Sequence, residues 1–350
     1  MSDQQTRLTA PTPSRPFFLE AHRRFTLIGI GLCVTIAVWT GLNIILSGLL
    51  SPYFPDGAPT WLILLLSSGP LYLIAMPLGV VVFRRVPALR TRTFTLGGKR
   101  FWKLLVACFP ITIVGNIIGT RLSGLAPGGE ATNRVSDIVT QSNPWVNVLF
   151  VVLLAPLFEE WLFRKQIIDR TRRYGERTAI VLSAFAFALF HMNLYQFLYA
   201  FGLGLVFGYA YMRTSRLRYP VVMHMVINAS GSLIAPGILS LVSSGGGDAD
   251  ALAGGTMGEA ELARVAESNP IAMVGVALLG LYAMVMVGLA VAGVVIICRD
   301  ARRLEFYDPP EQLPKWYGAR LAFLNPGMAV YVVLTVMLGL WQMGLISPGF

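Results

Sequence analysis

Residues 147–168, NVLFVVLLAPLFEEWLFRKQII, set Glu159, Glu160 and Arg164 into a largely apolar run long enough to span a bilayer. A charged side chain at mid-membrane costs roughly 2.5–3.5 kcal/mol on insertion scales, so two adjacent carboxylates there demand a use. Glu160 and Arg164 stand four apart, share a face on a helix and can pair. Glu159 lies about 100° round the same helix and must face something else. Two further apolar stretches carry polar residues at the same spacing, Phe187 with His191 and His224 with Asn228. These helices are expected to converge on Glu159 and form a hydrolytic site within the membrane. Polar packing contacts between helices are the simpler alternative.

The composition agrees with a membrane setting. Of 350 residues, 55% are hydrophobic and 13% charged, against about 25% charged in soluble domains. The mean hydropathy is +0.63. A net charge of +10 would suggest nucleic acid in a soluble protein. Here the cations sit in short connections between apolar runs, where they set topology and meet anionic lipid, so nucleic-acid binding is not expected. Cys33, Cys108 and Cys298 lack metal-type spacing and read as small packing residues.

The expected fold is all-α: a polytopic membrane helix bundle of about eight or nine transmembrane helices around a four-helix catalytic core. Nine apolar segments are placed near 25–49, 61–83, 101–120, 145–168, 178–192, 195–212, 219–242, 270–298 and 326–346. Arginines and lysines crowd alternate connections, as at Arg84, Arg85, Arg90, Arg92, Lys99 and Arg100, and again at Arg170, Arg172, Arg173 and Arg177. The connection 243–269 instead holds Asp248, Asp250, Glu259, Glu261 and Glu267. This alternation predicts a multi-pass cell-membrane protein with its N-terminus on the cytoplasmic side. Residues 1–24 read as a flexible cytoplasmic tail, 25–142 as N-terminal transmembrane helices and 143–245 as the catalytic core. Residues 246–350 read as an extracytoplasmic loop followed by C-terminal transmembrane helices, with a short surface helix expected within GEAELARVAE. Gly204 and Gly208 form the small-residue spacing of a close helix contact. Asn43 and Asn116 are expected to bond between helices, and Asn193 to cap one.

Peptide hydrolysis needs an activated water, a place for its proton, and donors facing the developing oxyanion. Glu159 can take the water proton and His191 can hold the same water. His224 and Asn228, on one face, can donate to the substrate carbonyl oxygen. Glu160 and Arg164 would support the helix, Phe187 would orient its neighbours, and Pro156 would loosen the turn before Glu159. A metal competes with this scheme, since Glu159, His191 and His224 are a plausible zinc set. No HExxH occurs, and the residues by themselves leave the choice open. Height is a difficulty. Straight spans at about 1.5 Å per residue put Glu159 roughly 13 Å, His191 about 20 Å and His224 about 7 Å above the inner boundary. One site therefore requires the fifth segment to start below the membrane surface, around Tyr174 to Arg177, or the helices to tilt.

Glu159-Glu160-x-x-x-Arg164, Phe187-x-x-x-His191 and His224-x-x-x-Asn228, in this order, resemble the pattern of the intramembrane CAAX protease and bacteriocin-processing family. That group includes the type II CAAX prenyl endopeptidase and the lysostaphin-resistance-like proteins. The resemblance covers about 143–245 and implies an endopeptidase acting on a membrane protein or peptide, with a bacterial source suggested by the short loops. It implies Glu159 as general base, His191 as its water-positioning partner, His224 and Asn228 as the oxyanion pair, and Glu160 and Arg164 as support. It also implies catalysis without a cofactor or metal, with zinc on Glu159, His191 and His224 as the alternative. A membrane scaffold or bacteriocin-immunity protein that leaves the site unused is the second function, and a transporter the third. The natural substrate and the oligomeric state are not legible.

Overall fold

Apolar runs bounded by proline, glycine and basic residues build this protein from helices. A computed structural model describes residues 14–124, 142–244, 258, 270–309 and 311–343, and among them there is no strand. In chain order the helices are α1 (Arg15–Leu50), α2 (Thr60–Phe83), α3 (Gly98–Ser123), α4 (Pro144–Tyr174) and α5 (Glu176–Phe190). They continue with α6 (Leu194–Thr214), α7 (Arg218–Ser243), α8 (Pro270–Asp300), α9 (Lys315–Phe323) and α10 (Pro326–Gln342).

Each of the nine expected spans falls on a helix. Among the described residues, α1, α2, α3, α4, α7 and α8 are long and apolar enough to cross a membrane alone. The pair α9–α10 makes a seventh if its 56° bend is one broken span. Pro326 starts α10 with Asn325 capping the Met328 amide at 3.0 Å, which is why the chain turns there. The other two expected spans, α5 with 15 residues and α6 with 21, sit inside the bundle instead. The protein is a multi-pass helical membrane protein, and a count of eight or nine is compatible with it.

Residues 15–24 are not a loose tail. Pro16 opens α1, and Phe17 and Phe25 pack their rings on Tyr174. Arg24 bonds Glu20 at 2.8 Å and the Tyr174 hydroxyl at 2.9 Å. Aromatic burial and these bonds order a stretch whose prolines suggested disorder. The rest of the expected tail, and the helix expected in GEAELARVAE, lie outside the described residues. Asn43 and Asn116 also differ from expectation. Asn43 donates to Trp39 O and Asn116 accepts from Thr120, each within its own helix.

The same Tyr174 closes α4. It ends a tight turn, Arg172–Tyr174, that is buried under the start of α1, and its carbonyl accepts from the Leu313 amide. Gly175, at φ +138, then leads the chain into α5, whose buried residues begin at Ala179. The basic connections do more than set topology. Arg170 is buried and donates to Phe83 O, while Arg172 donates to Thr91, Ser215 and Met212 O. Leu89 N–H bonds Asp169 O and Phe94 N–H bonds Thr214 O, so the connection between α2 and α3 is strapped to the ends of α4 and α6.

Close helix contacts complete the frame. A Cβ on Gly204 would lie 2.9 Å from Ala184 Cα, so α6 meets α5 backbone to backbone at the expected glycine pair. From the other side α10 braces the end of α5. Tyr331 donates to Ala186 O at 2.8 Å, and a Cβ on Gly339 would come within 2.6 Å of Met192 O. Met192, at φ +51, follows His191 directly. Gly339→Val is expected to cost about 1–3 kcal/mol by overpacking and to lower the melting temperature in detergent. Gly288→Ala, at a glycine with open space around it, serves as the control and should melt as the wild type.

Candidate active site

α4 carries the carboxylates, and its local winding decides where they point. The helix widens into five-residue hydrogen-bond registers at Val148–Leu154 and Trp161–Ile168, leaving Ala155–Glu160 as a short α segment between them. Pro156 lies at the start of that segment, as its ring and missing N–H require. Glu160 and Arg164 pair as their spacing implies, Nε to Oε2 at 2.7 Å and Nη2 to Oε1 at 3.4 Å, both fully buried. Arg164 Nη1 donates to Ser183 Oγ at 2.8 Å, and Ser183 in turn donates to Phe163 O. Its guanidinium carbon also stands 5.0 Å from the Phe187 ring centre.

His224 brings α7 to this pair. Its Nδ1 lies 3.1 Å from Glu160 Oε1 and its Nε2 3.8 Å from Glu159 Oε2. With Glu160 held as a carboxylate by Arg164, Nδ1 is the donor. A neutral His224 therefore has no N–H left at Nε2, and only the doubly protonated ring donates on that side. The ring is stacked on Phe207 at 5.3 Å and meets the edge of Phe187 at 5.8 Å. The Glu159 side chain is 13% exposed, where that of Glu160 is fully buried.

His191 caps α5 and touches Phe187 ring to ring at 4.8 Å. Its Nδ1 lies 2.9 Å from Phe187 O, and a carbonyl only accepts, so Nδ1 carries the proton. Nε2 is then a free lone pair, able to accept from water. Phe187 thus stands between the two histidines. Asn193 caps α6, accepting from Gln196 N at 2.8 Å, and donates to His191 O. Asn228 is placed less simply. Its Nδ2 donates to Val151 O at 2.9 Å, so one of its two N–H bonds is already spent on α4.

Glu159, Glu160, Arg164, His224 and Phe187 form one connected set, His191 joins it through the Phe187 ring, and Asn228 lies at its α4–α7 edge. Among the described residues no three His, Cys, Asp or Glu side chains are grouped closely enough to hold a metal ion. Glu159 and His224 Nε2 could supply two ligands, the Nδ1–H bond to Glu160 orienting the ring as carboxylates do behind metal-bound histidines, and as placed His191 does not come close enough to make a third. Three participants were missed. Ser183 lies four before Phe187 and eight before His191, so its spacing would have put it on the same face. Ser232 extends the His224–Asn228 spacing by another four and accepts from Asn147 of α4 through its carbonyl at 3.4 Å. Phe207, one apolar residue among many on α6, carried no signal.

Fold and site together define a class: a multi-pass helical membrane protein with a glutamate–histidine centre among its buried helices. Residues 141–230 match the family described as type II CAAX prenyl endopeptidase Rce1-like, and that segment holds all seven residues. The chain is similar to the membrane-embedded CAAX protease MroQ of Staphylococcus aureus (strain USA300), 35% identical over 33% of this chain and 49% of that protein. It is also similar to the protein of Bacillus subtilis (strain 168) named "Putative membrane peptidase YdiL", 25% identical over 43% of this chain and 63% of that protein. The chain thus spans about half the length of the first relative and under two thirds of the second. No solved structure gives a significant match. The resemblance carried by the three motifs is shown over the helices that bear them.

Arg164→Ala would leave Glu160 buried without its counter-ion, at a cost of about 3–5 kcal/mol. Purified Arg164→Ala should melt well below the wild type in detergent, and Ser183→Ala, which removes one bond to the same guanidinium, should fall between the two.

Proposed function

We propose that the protein is an intramembrane endopeptidase that cleaves a membrane protein or peptide with water activated by Glu159. The observation that carries this is Glu159 held 3.8 Å from His224 Nε2 while the other nitrogen of that ring rests on the buried Glu160–Arg164 pair. In this scheme a water held by His191 Nε2 gives its proton to Glu159, and its oxygen attacks the peptide carbonyl carbon. Doubly protonated His224, through Nε2–H, and the remaining N–H of Asn228 face the oxyanion. Glu159 then returns its proton to the leaving amine as the C–N bond breaks. Nothing in this sequence of steps requires a metal. The alternation of basic and acidic connections supports a cytoplasmic N-terminus. Names of the relatives, one a CAAX protease and one a membrane peptidase, support the reaction class and leave the substrate open.

Glu159→Gln keeps the shape and removes the base. Wild type and variant should melt alike in detergent, and only the wild type should cleave a membrane-borne peptide library; equal cleavage by both would remove Glu159 from the mechanism. Activity should also survive exhaustive dialysis against a strong chelator. Loss of turnover on stripping, with recovery at one equivalent of zinc, would replace the general base by a metal centre.

A further inference from the structure

Pro156 denies a carbonyl its helix partner, and α7 supplies one. Ala155 N–H bonds Phe150 O, five residues back, closing the wide register of Val148–Leu154. The next bond in that series would run from residue 156 to Val151 O, and proline has no N–H to make it. Tightening to the four-residue register is no escape, because the ring would meet the carbonyl of Val152. Val151 O instead accepts from Asn228 Nδ2 at 2.9 Å. An amide oxygen turned to a carbonyl would repel it, so the amide orientation is set by chemistry.

His224 reaches Glu159 and Glu160 on the far side of Pro156, one helical turn before Asn228 along α7. The two side chains therefore grip α4 on either side of the proline break. We propose that Asn228 is a positioning residue that works through Val151: with His224 it staples α7 across the break and fixes the rotation of Ala155–Glu160 that aims Glu159. Only one of its N–H bonds is used in this way, so the role is separate from any contact with substrate. A buried carbonyl left without a partner is costly, and a misaimed base slows the chemical step more than it weakens binding.

The test is a double-variant cycle on the full-length protein in detergent, read by melting and by turnover. Asn228→Ala should melt below the wild type and turn over at least about 1000-fold more slowly, since it loses an oxyanion donor as well as the staple. Adding Pro156→Ala restores the N–H that satisfies Val151 O in the five-residue register, and it lets the turn tighten so that Ala155 N–H serves that carbonyl in the four-residue register. The gain in melting temperature from Pro156→Ala should be larger in the Asn228→Ala background than in the wild type. The double variant should also turn over at least about tenfold faster than Asn228→Ala alone. Equal gains in both backgrounds, or wild-type melting of Asn228→Ala, would overturn the staple. Restored melting without faster turnover would overturn its positioning of Glu159. The turnover arm rests on the peptidase reading and the melting arm does not, so absence of cleavage by the wild type would fault that reading while melting still judges the staple.

Discussion

Glu160 and Arg164 are opposite charges on one turn of α4, both without exposure to solvent. Such a pair is expensive to bury, and its attraction repays the cost only when the remaining donors and acceptors are also satisfied. Here they are: Arg164 reaches Ser183 on α5 and stands over the Phe187 ring, and Glu160 accepts from His224 on α7. Three helices are thus tied to one ion pair. That is why Glu160 behaves as a fixture and Glu159, its neighbour in sequence, is free to meet a reactant.

The second constraint is the uneven winding of α4. A regular α-helix would present the two glutamates in one fixed relation to everything before them. The wide turns on either side let Ala155–Glu160 rotate as a short unit, and contacts from α7 decide its setting. Breaks in helices at membrane depth are tolerated where neighbouring side chains satisfy the freed backbone groups. Asn228 of α7 does this for Val151, with His224 one turn before it on Glu160. Bracing from outside comes from α10, whose Tyr331 and Gly339 pin the end of α5 beside His191.

Much of this was legible in the residues. Charges in apolar runs are few and costly, so Glu159, Glu160, Arg164, His191 and His224 stood out, and four-residue spacing placed each on a face. Gly204 and Gly208 marked the α5–α6 contact for the same reason. What stayed hidden depends on departures from regular geometry or on contacts distant in the chain. Spacing assumed straight helices, so it could not show that Pro156 hands Val151 to Asn228. It assigned Arg170 and Arg172 to the head groups, whereas both are buried on backbone carbonyls. The tail at 15–24 was read from its prolines, and its order comes from Tyr174, some 150 residues away.

The central claim is that Glu159 activates water and does not itself attack the substrate. A single turnover of wild-type protein in heavy-oxygen water tests it most directly, with mass spectrometry of the new product C-terminus and of the peptide containing Glu159. The account predicts heavy oxygen in the product carboxylate from the first turnover and none in Glu159. A first product free of heavy oxygen, with the label in the Glu159 carboxylate, would show a covalent acyl intermediate on that residue and contradict it.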